Sequence, residues 1–143
     1  MKFNMKQLII PMAILLLNIN CDDNPVDVKH ENRNPVILSL TVFPDTINPS
    51  DSAIVICNAM DPDGDTLVYD WYTDGKSRIK GAPSYQDWIL YNTFENWCTI
   101  FPKNLNNKPI DTLWIECQAR DGKGGGSISE QISFILKQNG GGE

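Results

Sequence analysis

The chain has 143 residues, 41% hydrophobic and 9% aromatic, enough for one domain with a packed core. Its 12 basic and 18 acidic residues give a net charge of −6, a balance that repels nucleic acid and anionic lipid. A single histidine, His30, leaves most hydrolase and metal chemistries without their usual base or ligand.

Residues 1–20 begin with a short basic region (Lys2, Lys6), followed by an apolar run from Leu8 to Leu17. The run is too short to span a bilayer and has the length of a signal-peptide core. Cys21 follows directly, in L-L-L-N-I-N-C-D-D. The segment resembles a bacterial lipoprotein signal, which implies lipidation at Cys21 and attachment to a membrane of the cell envelope, periplasmic or surface-exposed. Loss of Lys2 and Lys6 with the leader leaves 10 basic residues against 18 acidic, near −8. Asp22–Asn34 is polar and lacks an apolar period, so residues 21–34 are expected to be a lipidated cysteine and flexible tether. Outside the cytoplasm, disulfides are permitted.

From Pro35 the pattern changes to short apolar runs broken by Pro, Gly, Asp and Asn, the pattern of an all-β sandwich. Strands are expected over Val36–Phe43, Ser52–Met60, Thr66–Tyr72, Trp97–Phe101, Ile110–Arg120 and Ser127–Lys137, with a short edge strand at Arg78–Lys80. Alternation puts Leu38, Leu40 and Val42 on one face of the first strand and Val55, Cys57 and Ala59 on one face of the second. Leu67, Tyr69 and Trp71 share a face of the third. Leu113, Ile115, Cys117 and Ala119 share one in the long strand, and Ile128, Ile132, Phe134 and Leu136 in the last. Gln86–Tyr91 reads equally as strand or helical turn. Residues 138–143 form a disordered tail.

The stretches N-P-V-I-L-S-L (34–40), C-N-A-M-D-P-D-G-D-T-L-V-Y-D-W (57–71), N-W-C-T-I-F-P (96–102) and C-Q-A-R-D-G-K-G-G (117–125) resemble bacterial immunoglobulin-like modules close to PKD and fibronectin type III repeats. The resemblance implies an immunoglobulin-like β-sandwich of about seven strands over 35–137. It also implies a Cys57–Cys117 disulfide beside Trp71, closing a loop of roughly 60 residues and contributing about 4 kcal/mol. The chain departs from the pattern in its long 73–96 segment and in Ile115, where a tyrosine corner would put Tyr. Cys98 is left as a free thiol, an intermolecular bridge, or the true partner of Cys57.

Three surfaces are candidate sites. Asp61, Asp63 and Asp65 alternate in one acidic turn, and Asp121 is expected at the same end of the sandwich. The four are candidate calcium ligands, set against a local role in capping the turn. Tyr72 and Trp114 are expected to point outward on adjacent strands, with Trp88, Tyr85 and Tyr91 extending an aromatic patch or folding over it. Ile54 and Ile56 face away from Cys57, joined by either Cys98 and Ile100 or Trp97 and Phe101. There is no histidine in the domain, no G-x-S-x-G and no phosphate loop. The sequence reads as a non-enzymatic envelope module for adhesion or binding, with no cofactor beyond the candidate calcium. Its alternatives are a structural subunit bound to an envelope protein and a glycan-binding module.

Overall fold

The computed structural model describes residues 31–103, 110–124 and 128–137. The signal-peptide reading, lipidation at Cys21 and the tail 138–143 lie outside the described residues. Among the described residues there is no helix, and nine strands form in chain order. They are β1 (Val36–Phe43), β2 (Thr46–Ile47), β3 (Ala53–Met60), β4 (Val68–Thr73), β5 (Ser77–Ile79), β6 (Ile89–Thr93), β7 (Trp97–Pro102), β8 (Ile110–Arg120) and β9 (Ile128–Lys137).

The strands form a two-sheet β-sandwich. One sheet has the order β1-β3-β7-β5 and the other β2-β9-β8-β4-β6. These orders match the A-B-E-D and G-F-C sheets of an immunoglobulin sandwich. The extra strands are edges. Pro44 has no N–H to continue the β1 ladder, and the chain crosses to the other sheet as β2, parallel to β9. The Ile135 N–H closes this junction on the Asp45 carbonyl at 2.8 Å. The 73–96 segment supplies two more edges. β5 pairs with β7, after which the chain returns to lay β6 beside β4. The stretch left open between strand and helical turn becomes strand from Ile89, after non-helical turns in which the Gln86 N–H bonds to the Pro83 carbonyl at 2.9 Å and the Ile89 N–H to the Gln86 carbonyl at 3.2 Å.

Alternation places the core as expected in β3, β4 and β8. Val55, Cys57, Trp71, Leu113, Ile115, Cys117 and Ala119 are fully buried, and Phe134 and Leu136 join them from β9. Two faces differ from expectation. In β1 the register steps from Ile37↔Ala59 to Ser39↔Asn58, so Leu38 is an extra residue on one side of the ladder. This bulge reverses the phase: Ile37, Leu40 and Val42 pack on the core, and Leu38 is 57% exposed. In β9, Ile128 lies beyond the reach of the facing sheet and is partly exposed.

The expected Cys57–Cys117 disulfide is not made. Cys57, Cys98 and Cys117 are free thiols, all buried. Cys57 on β3 and Cys117 on β8 do meet across the core beside Trp71, which pairs with Cys117 in the β4–β8 ladder. Their sulfurs are in hydrogen-bond contact and not at bonding distance. The Cys117 thiol is pushed up by that hydrogen bond and then by burial, and burial pushes Cys98 up. Cys98 lies in the core at 3% exposure, which also removes the intermolecular bridge. The same hydrogen bond pushes the Cys57 thiol down, so what shields all three from reagents while the fold is closed is their burial in the core. Alkylation under native conditions is expected to leave residues 57, 98 and 117 unmodified. In denaturant without reductant each takes one label, and uptake at Cys98 alone would show that the other two are oxidised.

Candidate binding surfaces

The β3–β4 connection and the β8–β9 turn lie at one pole, where the chain also enters the domain ahead of β1. Asp61 Oδ1 accepts the N–H groups of Asp63 (2.8 Å) and Asp65 (3.2 Å), and the Gly64 N–H closes on the Asp61 carbonyl at 3.2 Å. Gly64 sits at φ 79°, where a side chain would be strained. Asp121 Oδ1 accepts the Lys123 N–H at 2.8 Å in the same manner. Of the four candidate calcium ligands, Asp61, Asp65 and Asp121 bring carboxylate oxygens within 4.8 Å of one another. Asp63 turns away to Arg33, accepting its backbone N–H at 2.6 Å and Nε at 2.7 Å.

An all-oxygen set is what a hard divalent cation takes. Internal partners already occupy most of it. Lys123 Nζ lies 3.3 Å from Asp65 Oδ1, and Asn32 Nδ2 donates to Asp121 Oδ2 at 2.6 Å. Asp61 Oδ2 alone of these oxygens is buried with no hydrogen bond. The turn is held by its own caps, and Asn32 and Arg33, read from sequence as tether, are seated on it. The compact unit begins at Glu31.

The outer face of the five-stranded sheet carries the aromatic patch. Tyr72 on β4 meets Tyr91 on β6 edge-to-face, with ring centroids 5.7 Å apart, and its hydroxyl donates to Gln118 Oε1 at 3.3 Å. Burial, then the charge of Asp70, pushes the Tyr72 phenol up to about 12, so it stays a donor. The 82–96 segment extends this patch, because β6 lies beside β4 and not over it. Trp114 lies on the same outer face, two residues along β8 from Glu116, the partner of Tyr72. It faces Trp88 across a groove that also contains Thr73, Asp74, Gly75 and Lys103. Tyr85, at 80% exposure, stands apart from both.

The outer face of the four-stranded sheet is apolar. Ile56 pairs with Trp97 and Ile54 with Thr99. Trp97 and Phe101 are therefore the outward residues of β7, and Cys98 and Ile100 the inward ones. Ile54, Ile56 and Trp97 are each nearly half exposed, and the Arg78 guanidinium covers Phe101 at 5.2 Å.

Sequence alone does not disclose the buried ion pair between these elements. Asp70, 5% exposed, occupies an outward position of β4. Arg120 from β8 reaches it with Nε (2.9 Å) and Nη2 (3.2 Å), and Nη2 also donates to Asn92 Oδ1 at 2.6 Å. The Asn92 N–H returns to Asp70 Oδ1 at 2.7 Å, with Asn92 at φ 57°. Asp70 and Arg120 lie 50 positions apart and meet only through the β4–β8 register.

No protein-family model matches the chain, and no curated protein matches it.

Two outcomes follow from these polar contacts. Arg120→Met leaves the Asp70 carboxylate buried without its counter-ion and is expected to cost about 3 kcal/mol in denaturant unfolding. That is the low end for a broken buried pair, because Arg120 is a third exposed. Asp70→Asn with Arg120→Met should recover much of the loss. Asp121 is held below the usual carboxylate range, first by the Asn32 amide and then by the Lys123 N–H. A depressed carboxylate stabilises the fold above its ordinary value and loses that contribution as pH falls through the lowered folded value. Thermal scans should show Asp121→Asn less stable than wild type at neutral pH, with a shallower fall below about pH 4. An unchanged acid limb rules the contribution out.

Proposed function

We propose that the chain is a non-enzymatic lipoprotein of the bacterial cell envelope, anchored through Cys21, whose immunoglobulin/PKD-like domain is a binding or adhesion module. The reading rests on one observation: among the described residues the sandwich has two differently equipped outer faces, one with an aromatic patch and a tryptophan-lined groove and one with exposed Ile54, Ile56 and Trp97. The Asp61 and Asp121 carboxylates cap turns, and Asp70 pairs with Arg120.

The pole of entry supports display. Asp22–His30 can reach at most about 30 Å between a lipidated Cys21 and the domain. Asn32 and Arg33 then fasten the chain to the acidic pole. An anchor at Cys21 would enter the domain at that pole, and Trp88 and Trp114 lie toward the other. A second reading, a structural subunit of a larger envelope assembly, is favoured by the exposed Ile54, Ile56 and Trp97 on one sheet face. Stoichiometric co-purification lost in Ile56→Lys would select it.

Intact mass of the chain from its native membrane tests the anchor. The expected species begins at Cys21 and carries a diacyl- or triacylglyceryl mass. A mature chain that retains residues 1–20 overturns the reading.

A further inference from the structure

We propose that the groove between Trp88 and Trp114 is a carbohydrate subsite that takes one pyranose unit of a polysaccharide. The assignment deepens the binding-module reading above and rests on it for its biological setting only.

The two indoles come from different elements and are held independently. Trp114 stands on the outer face of β8 between buried Leu113 and Ile115, so alternation alone keeps its ring out of the core. Trp88 precedes β6, and its carbonyl accepts the Thr73 N–H at 2.9 Å, which extends the β4–β6 ladder and fixes Trp88 beside Thr73, with β4 between it and β8. The groove that the two help to line is shallow and open to solvent, with a volume of about 440 Å³. Gly75, at φ 76°, lines it and has no heavy atom within 4 Å of the position a Cβ would take.

The polar groups sit at the rim. Lys103 Nζ lies 5.6 Å from the Trp88 ring centre and 2.8 Å from Asp87 Oδ1. Asp74 uses Oδ1 to accept the Lys76 N–H at 3.0 Å, while its Oδ2 is buried and takes no hydrogen bond. That oxygen has almost no accessible surface, so a ligand in the groove meets the rest of the Asp74 side chain at the rim. The required ligand is thus flat and apolar on one face, with hydroxyl donors and acceptors around its edge. A pyranose ring meets each requirement: its C–H face lies on an indole, its hydroxyls donate to a carboxylate and accept from an ammonium. A nucleic acid is disfavoured by the acidic surface, and a purely apolar anchor would make no use of the polar rim that Asp74 and Lys103 give the groove.

The test uses the full-length lipoprotein in mild detergent. Affinity electrophoresis through soluble xylan, mixed-linkage glucan and alginate is run beside sedimentation with chitin, cellulose and peptidoglycan sacculi. Retention is expected on at least one, with the sacculi arm separating the cell's own polymer from an external one. Trp88→Ala and Trp114→Ala should each weaken retention at least tenfold, and Asp74→Asn severalfold. Tyr85→Ala and Trp97→Ala, outside the groove, should leave it unchanged. Because Trp114→Ala can also loosen the sheet, each variant is compared at matched thermal stability, and Gly75→Asn gives an independent block at a left-handed position that Asn tolerates. Retention that survives both tryptophan substitutions overturns the assignment. So does no retention on any of the six polymers, including the case in which an envelope protein cross-links at residues 88 or 114 instead. Failure of the groove leaves the anchor intact, since the mass of the native chain reads the anchor alone.

Discussion

The arrangement depends on burying one indole. Trp71 is wholly enclosed between the sheets, where it is among the largest fully buried side chains. Its ring fills the space that Cys57 and Cys117 leave beside it, and an aromatic of this size dominates the burial of a small core. The indole N–H cannot be left unpaired in such a place. It finds Thr93 Oγ1 at 3.3 Å, on β6. One buried donor thus couples the centre of the core to an edge strand 22 residues on in the chain. A shorter 73–96 segment could not supply that acceptor.

The same edge strand is tied a second time on the other side of the sheet. Asp70 and Arg120 form a charged pair under Asn92, whose backbone N–H and side-chain oxygen both take part. Between Trp71 facing in and Asp70 facing out, β4 holds β6 by both of its faces. These ties hold β6 at the sheet edge although no residue from 80 to 97 is fully buried. They also explain how the segment can present Trp88 and Tyr91 at fixed positions. Aromatic groups on a mobile loop would lose ordering entropy on binding that these have already lost in folding.

The domain is polar along its long axis. Chain entry, the acidic turn and Asp121 share one end, and Asn32 and Arg33 close that end from the N-terminal side. From Asp121 back to Trp114 the strand runs seven residues, about 23 Å. Lys76, Lys103 and the tryptophan groove lie toward that far end, at a distance from the membrane if the chain is anchored at Cys21. Carboxylates at one pole and an indole-lined groove at the other give the two ends different chemistry on one rigid scaffold.

The strand set was legible because alternation is a local property. Val55-Ile56-Cys57 and Leu113-Trp114-Ile115 declare their inner and outer faces with no knowledge of neighbours. The turns were legible for a similar reason, since D-P-D-G-D carries its own caps. Local pattern misled at Leu38, because a bulge is set by the partner strand and flips the phase without changing the residues. It misled again over the cysteines: spacing brings Cys57 and Cys117 to one place, but bonding distance depends on how far apart the sheets settle around Trp71. It was silent on Asp70 with Arg120, a contact made by strand register, and it grouped Trp88 with Tyr72 and Trp114 without showing which of them line one groove. The sequence by itself determined an all-β sandwich, its core faces and its acidic turn. The tertiary structure alone decided which edges formed, which thiols met and which aromatics faced each other, because those are properties of sheet assembly, which no local window of residues contains.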